Sequence, residues 1–170
     1  MTSLLIRLVL DRAASTSEAI ELINKYDMVA VAGHDYHFFI SDASGDSRII
    51  EYDCDSPLRE TVVTPVRQAT NFFELYKDRV KPNQKNGKYG HGRERYDAIE
   101  HILDAANGQY TYDIAWEALI AASQEPKEED ITSNTQWSVI YNNTDLSAHI
   151  AIRRQWEDVF KYKLESNEFF

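Results

Sequence analysis

Two hydrophobic periods occupy separate blocks of this 170-residue chain, and their order constrains the fold more than any one motif. SLLIRLVLDRA, residues 3 to 13, places apolar side chains at 4, 5, 6, 8, 9 and 10, with Arg7 and Asp11 one helical turn apart. That pattern predicts a mostly buried helix. STSEAIELINKY predicts a second helix near 17 to 25. Thr16 or Ser17 would cap it, and Glu18 and Glu21 favour its positive end. The period then falls to two. MVAVAG (28 to 33), HFFIS (37 to 41) and RIIEY (48 to 52) are short β-branched or aromatic runs. DASGDS joins the last two as a turn, with Gly45 supplying the positive φ. TVVTPVRQA begins as a strand, and Pro65 confines it to an edge or a bend.

The second half repeats the order. KDRVKPNQKNGKYGHG (77 to 92) is polar and locally basic and reads as a mobile surface loop. RERYDAIEHILDAAN restores the helical period through Tyr96, Ile99, Ile102 and Leu103, and Asn107-Gly108 ends it. TYDIAWEALIAAS is a further helix before Pro126. TQWSVIYNN and LSAHIAIRR predict a hairpin around Asn142 to Asp145, and QWEDVFKYKLE a last strand. Helices and strands that come in blocks predict an α+β fold with antiparallel sheet, not a doubly wound one. The length fits a single domain over 1–170.

Composition narrows the function. The net charge of −10 disfavours non-specific binding to nucleic acid or to an anionic membrane. Cys54 is the one cysteine, so there is no internal disulfide and no Cys-rich zinc site, as suits a reducing cytoplasm. No apolar run reaches 18 residues. LLIRLVL, interrupted by Arg7, is too short for a signal-peptide core.

Several residues carry candidate chemistry. His34 and His37 in HDYH flank Asp35, but an H-x-x-H spacing on a strand sends the two imidazoles to opposite faces. Ordinary strand-edge residues are the expectation, with no metal site. Cys54 lies between Asp53 and Asp55, which oppose thiolate formation, so it is expected to be inert. The glycines of the 77–92 loop match no phosphate-cradling pattern. Arg93 and Arg95 open a helix, where cations oppose the dipole. A stability argument would not choose them there, although a surface ion pair with Glu94 or Asp97 explains them equally.

Taken in order, LIRLVLDRAASTSEAIELI, YHFFISDASGDSRIIEYD, ATNFF, Arg95-Tyr96 and TQWSVIYNNTDLSAHIAI resemble one family across nearly the whole chain. It is the choloylglycine hydrolase and penicillin V acylase group, with the acyl-coenzyme A:isopenicillin N acyltransferase-like proteins. The resemblance implies part of an N-terminal-nucleophile fold, an α-β-β-α sandwich with antiparallel sheets. It implies hydrolysis of linear amides, or acyl transfer, by a cysteine at the mature amino terminus whose own α-amine acts as base. By the same resemblance Asn71 is the active-site asparagine, which holds the amino terminus or the substrate amide. Arg95 is the arginine that lowers the thiol pKa, with Arg93 as the alternative two residues earlier. Tyr96 takes no role from the family. No cofactor or metal is implied.

No cysteine stands near Met1. The chain is therefore expected to be the C-terminal portion of such an enzyme, inactive by itself. Its partners would be a small acylated-amide substrate and either a missing N-terminal half or further copies of itself. The other expectation is a non-catalytic, self-associating remnant of the same fold. Only the first requires Asn71 and Arg95 to serve one cleft.

Overall fold

The computed structural model describes residues 2–26, 36–164 and 168–169. The expected run 28 to 33 and His34 lie outside the described residues. The chain divides into two compact units, Met1–Arg93 and Glu94–Phe170. The fold class is α+β, and among the described residues every strand pairing is antiparallel.

The first unit begins with α1 (Thr2–Arg12) and α2 (Thr16–Ile23), followed by β1 (Phe38–Ser41), β2 (Ser47–Tyr52) and β3 (Thr61–Pro65) in the order β1-β2-β3. The cap of α2 is Ser15, not the expected Thr16 or Ser17. Its hydroxyl accepts the Glu18 N–H at 3.3 Å, and Glu18 returns a carboxylate to the Ala14 N–H at 2.7 Å. Thr16 is instead fully buried, because α2 is tied to the β1–β2 turn. Asp42 accepts the Thr16 N–H at 2.8 Å, and the Thr16 hydroxyl donates to the Asp46 carbonyl. Asp42 also accepts the Ser44 N–H and hydroxyl, while Gly45 takes φ +86°. These bonds hold the Asp42 carboxyl well below the usual carboxylate range. The D-x-S-G segment thus joins a helix start to a hairpin turn.

Leu5, Ile23, Phe38, Ile50 and Tyr52 form the core between the helices and one face of this sheet. The expectation of a mostly buried α1 is corrected. Leu5 is buried and Leu8 and Val9 partly so, whereas Leu4, Ile6 and Leu10 are 68%, 45% and 75% exposed. The sheet and α2 offer α1 one apolar surface, and one stripe of a helix fills it. Pro65 ends β3 on the sheet edge, where its missing N–H costs no ladder bond.

The second unit contains most of α3 (Arg93–Ala105), then α4 (Tyr112–Ala121). Its sheet has the order β4-β5-β6-β7, from β4 (Trp137–Asn142), β5 (Ser147–Ile152), β6 (Val159–Lys163) and β7 (Glu168–Phe169). Asn107 and Gly108 both take positive φ and end α3 as expected. α4 lies on β4, where Tyr112 stacks on His149 at 4.4 Å and its hydroxyl accepts from the Asn142 amide at 3.1 Å.

Ile50→Ala removes a side chain with no exposed surface. It should lower unfolding free energy by about 2–5 kcal/mol in urea titration. Leu10→Ala on the outer stripe of α1 should change it by less than about 0.5 kcal/mol. A loss at Leu10 as large as at Ile50 would mean that this stripe is covered in solution.

Candidate functional site

Alternation along β2 sends Ile50 and Tyr52 toward the helices and Ile49 and Glu51 to the opposite face. Glu51 has no exposed surface. A bare carboxylate there would be costly, and its two oxygens are answered by backbone. They accept the N–H of Glu74 at 2.7 Å and of Leu75 at 2.9 Å. These residues open a short 3-10 helical segment, Glu74–Arg79, whose first N–H groups have no partner within it. Phe73, just before it, provides no side-chain cap. Glu51 caps the segment from a strand 23 residues earlier and so fixes the backbone that carries Asn71, Phe72 and Phe73. Burial pushes the Glu51 carboxyl above its ordinary pKa of 4.5, against the pull of both backbone bonds.

The other side of this segment is laced to the end of the 77–92 loop. The His91 N–H donates to the Asn71 carbonyl at 2.9 Å, and the Phe73 N–H to the Tyr89 carbonyl at 3.0 Å. The Thr70 hydroxyl donates to the Gly92 carbonyl at 3.0 Å, and Phe72 pairs with Gly90. Gly90 is required there. Its φ is +103°, and a Cβ would stand 2.1 Å from the Asn71 carbonyl oxygen and 2.5 Å from the Phe72 Cα. The expectation of a mobile loop is therefore corrected: Gln84 also donates to the Gly90 carbonyl at 2.9 Å. A cluster of rings and charges anchors the loop to the β2–β3 turn. The Tyr76 and Tyr89 rings pack at 4.4 Å with their planes tilted by 30°, and the Arg79 guanidinium lies 5.2 Å and 5.3 Å from their centroids. Asp55 accepts from Lys88, from the Tyr89 hydroxyl at 2.9 Å and from Arg79 at 3.4 Å. Asp53 accepts from the Tyr76 hydroxyl. Both carboxyls are held below their ordinary range by these bonds.

A cleft of about 630 Å³ opens beside Asn71. Phe72 and Phe73 are its buried aromatic lining, Tyr36 a more open one, and His37, Asn86, Lys88 and His91 are among its polar groups. His37 sits with Nδ1 3.6 Å from a Glu51 oxygen and its ring edge-on to Phe73 at 6.3 Å. Burial holds its pKa below 6.5, although a bond to the Thr70 backbone and the charge of Glu74 pull the other way. His37 is thus part of the cleft lining rather than an ordinary strand-edge residue. Among the described residues no cluster of three or more His, Cys, Asp or Glu is suited to a metal ion.

Of the residues singled out from sequence, Asn71 lines the cleft. Arg95 lies in the first turn of α3 and belongs to the second unit, whereas the cleft is built from the first. Arg93 donates to the Lys77 carbonyl at 2.9 Å, which ties the start of α3 to the 3-10 segment. Cys54 is half-buried in the turn after β2 and does not line the cleft. Glu51 and Lys88 received no role from the sequence. The available signal for Glu51 was an acid at a core position of RIIEY. Lys88 and His91 had none, because a Gly- and Lys-rich run reads as solvated.

The model of the acyl-coenzyme A:6-aminopenicillanic acid acyl-transferase family matches residues 2–155. The chain belongs to this family. The family is part of the choloylglycine hydrolase and penicillin acylase group of N-terminal-nucleophile proteins, which agrees with the resemblance read from the motifs. No curated protein matches the chain. Membership indicates acyl-transfer or amide-hydrolase chemistry at that coarse level. No helix among the described residues is long and apolar enough to cross a membrane.

Two predictions follow from this geometry. Gly90→Ala should destabilise the first unit by at least about 2 kcal/mol in denaturant titration and shift the NMR signals of Asn71 and Phe72. The second concerns pH. The His37 pKa is depressed by folding, so its contribution is present above 6.5 and lost as pH falls through the lower folded value. Glu51, with a raised pKa, has the opposite sign: its contribution is present below 4.5 and lost as pH rises. His37→Gln should therefore reduce the loss of Tm between pH 7 and pH 5, leaving the opposing Glu51 trend more visible.

Proposed function

We propose that this chain supplies the amide-holding wall of a cysteine-nucleophile enzyme that hydrolyses linear, non-peptide amides or transfers their acyl groups. The observation that carries the reading is the place of Asn71. It stands at a sizeable cleft, on backbone fixed from both sides, in a chain of an acyltransferase family. An asparagine side chain both donates and accepts, so it can hold a substrate amide or a terminal amine at a set orientation. Arg95 is the proposed partner whose charge favours the thiolate. Its place in the first turn of α3, against the helix dipole, supports a role other than stability. The family match crosses both compact units, which supports reading them as parts of a single domain. The single cysteine fits a cytoplasmic protein.

A binding test is direct. Phenylacetamide titrated into the labelled chain should shift the Asn71 and Gly90 amide signals. Asn71→Ala should weaken binding about tenfold. Unchanged affinity in that variant would remove Asn71 from the site. Cys54 is not the proposed nucleophile, so the chain alone should turn over neither penicillin V nor a conjugated bile salt. Turnover lost on Cys54→Ala would assign the chemistry to Cys54.

A second reading, self-association, is supported by one sheet face. Trp137, Val139 and Tyr141 on β4 pair with Ile152, Ile150 and Ala148 on β5, and the last two pair with Phe160 and Tyr162 on β6. Trp137, Tyr141 and Phe160 are 66%, 71% and 49% exposed, and no charged residue interrupts the face. Such a face favours association with a second copy. Light scattering should show a dimer that Trp137→Glu dissociates; a monomer throughout the micromolar range would contradict it.

A further inference from the structure

Asn-Gly occurs twice in this chain, at 86–87 and at 107–108, and the structure treats the two pairs differently. An asparagine followed by glycine can react with its own backbone. No side chain shields the next nitrogen, and the ring closes within the chain. The nitrogen must turn onto the side-chain carbonyl carbon, so whatever holds the intervening peptide bond controls the reaction. Asn107-Gly108 is held. The two residues take φ +47° and +81°, the Asn107 N–H donates to the Asp104 carbonyl at 3.1 Å, and the Gln109 N–H donates to the Ala106 carbonyl at 2.9 Å. Turning that peptide bond would undo the stop of α3.

Asn86-Gly87 is the opposite case. Both residues are exposed, and among the described residues neither the Asn86 side chain nor the Gly87 N–H has a hydrogen-bond partner. The nearest backbone bonds lie to either side. The Gln84 N–H donates to the Lys81 carbonyl at 3.3 Å, and the Gly90 N–H to the Gly87 carbonyl at 3.1 Å. Asn86 also lines the cleft, and none of the lining residues is an aspartate or glutamate.

We propose that Asn86-Gly87 is a self-modification site that places a carboxylate on the cleft wall. The Gly87 nitrogen bonds to the Asn86 side-chain carbonyl carbon, the bond from that carbon to Nδ2 breaks, and the Gly87 proton leaves with the departing nitrogen as ammonia. Water then opens the succinimide at one of its two ring C–N bonds, which gives aspartate or isoaspartate. Either product adds a negative charge two residues from Lys88, where it competes with Asp55 for the ammonium. Isoaspartate also lengthens the main chain by one carbon between Gln84 and Gly90, which are bonded at 2.9 Å. The bonds that lace the loop to the Asn71 segment, from the Phe73 N–H to the Tyr89 carbonyl and from the His91 N–H to the Asn71 carbonyl, then lose their register.

The test warms the full chain at mildly alkaline pH and follows two chymotryptic peptides, 77–89 and 104–110. Mass spectrometry should find Asn86 gaining one mass unit at least about tenfold faster than Asn107. In urea the two rates should converge, because only the folded chain tells the pairs apart. In the converted protein, amide exchange at Phe73 and His91 should quicken about tenfold, and it should not in an equally treated Asn86→Gln variant. Equal rates at Asn86 and Asn107 in the folded chain would overturn the site. Conversion that leaves exchange at Phe73 and His91 unchanged would overturn its effect on the cleft.

Discussion

The first unit turns on a carboxylate that has been taken out of water. Glu51 is fully buried on β2, and its two oxygens are satisfied by the backbone N–H groups of Glu74 and Leu75. Breaking this arrangement from either side would leave buried polar groups without partners. The constraint therefore runs both ways: the 3-10 segment satisfies the strand's acid, and the acid fixes the segment. Asn71 gains a definite position because it lies three residues before the capped start. The loop from 77 to 92 closes against it because Gly90 lets two backbones meet where no Cβ fits.

The same logic of backbone satisfaction recurs at the other end of the sheet. Asp42 serves the β1–β2 turn and the start of α2 at once, through Ser44 and Thr16. Two acids of the hairpin, Asp42 and Glu51, thus perform similar work at different depths. Asp42 is held well below its ordinary pKa by its donors, while Glu51 is pushed up by burial despite its donors. Their environments, not their chemistry, separate them.

Much of the element order could be read from the sequence. The period change after α2, the turn glycine at Gly45 and the stop at Asn107-Gly108 are local signals, and local physics decides them. What could not be read was long-range. Ser15 rather than Thr16 caps α2 because Thr16 is drawn into contacts with Asp42 and Asp46, some 26 to 30 residues away. The outer stripe of α1 is apolar but uncovered, a fact about neighbours rather than about period. Asn71 was found through a family resemblance. The loop facing it reads as solvated because nothing local reports the Tyr76, Arg79 and Tyr89 anchor.

Amide hydrogen exchange at Glu74 and Leu75 tests the central claim, that Glu51 holds the backbone bearing Asn71. In the unmodified chain both amides should be protected. Glu51→Ala should abolish that protection and lower it at Phe73 and His91, while amides of the β4–β5 hairpin keep theirs. Protection at Glu74 and Leu75 that survives loss of the carboxylate would contradict the account.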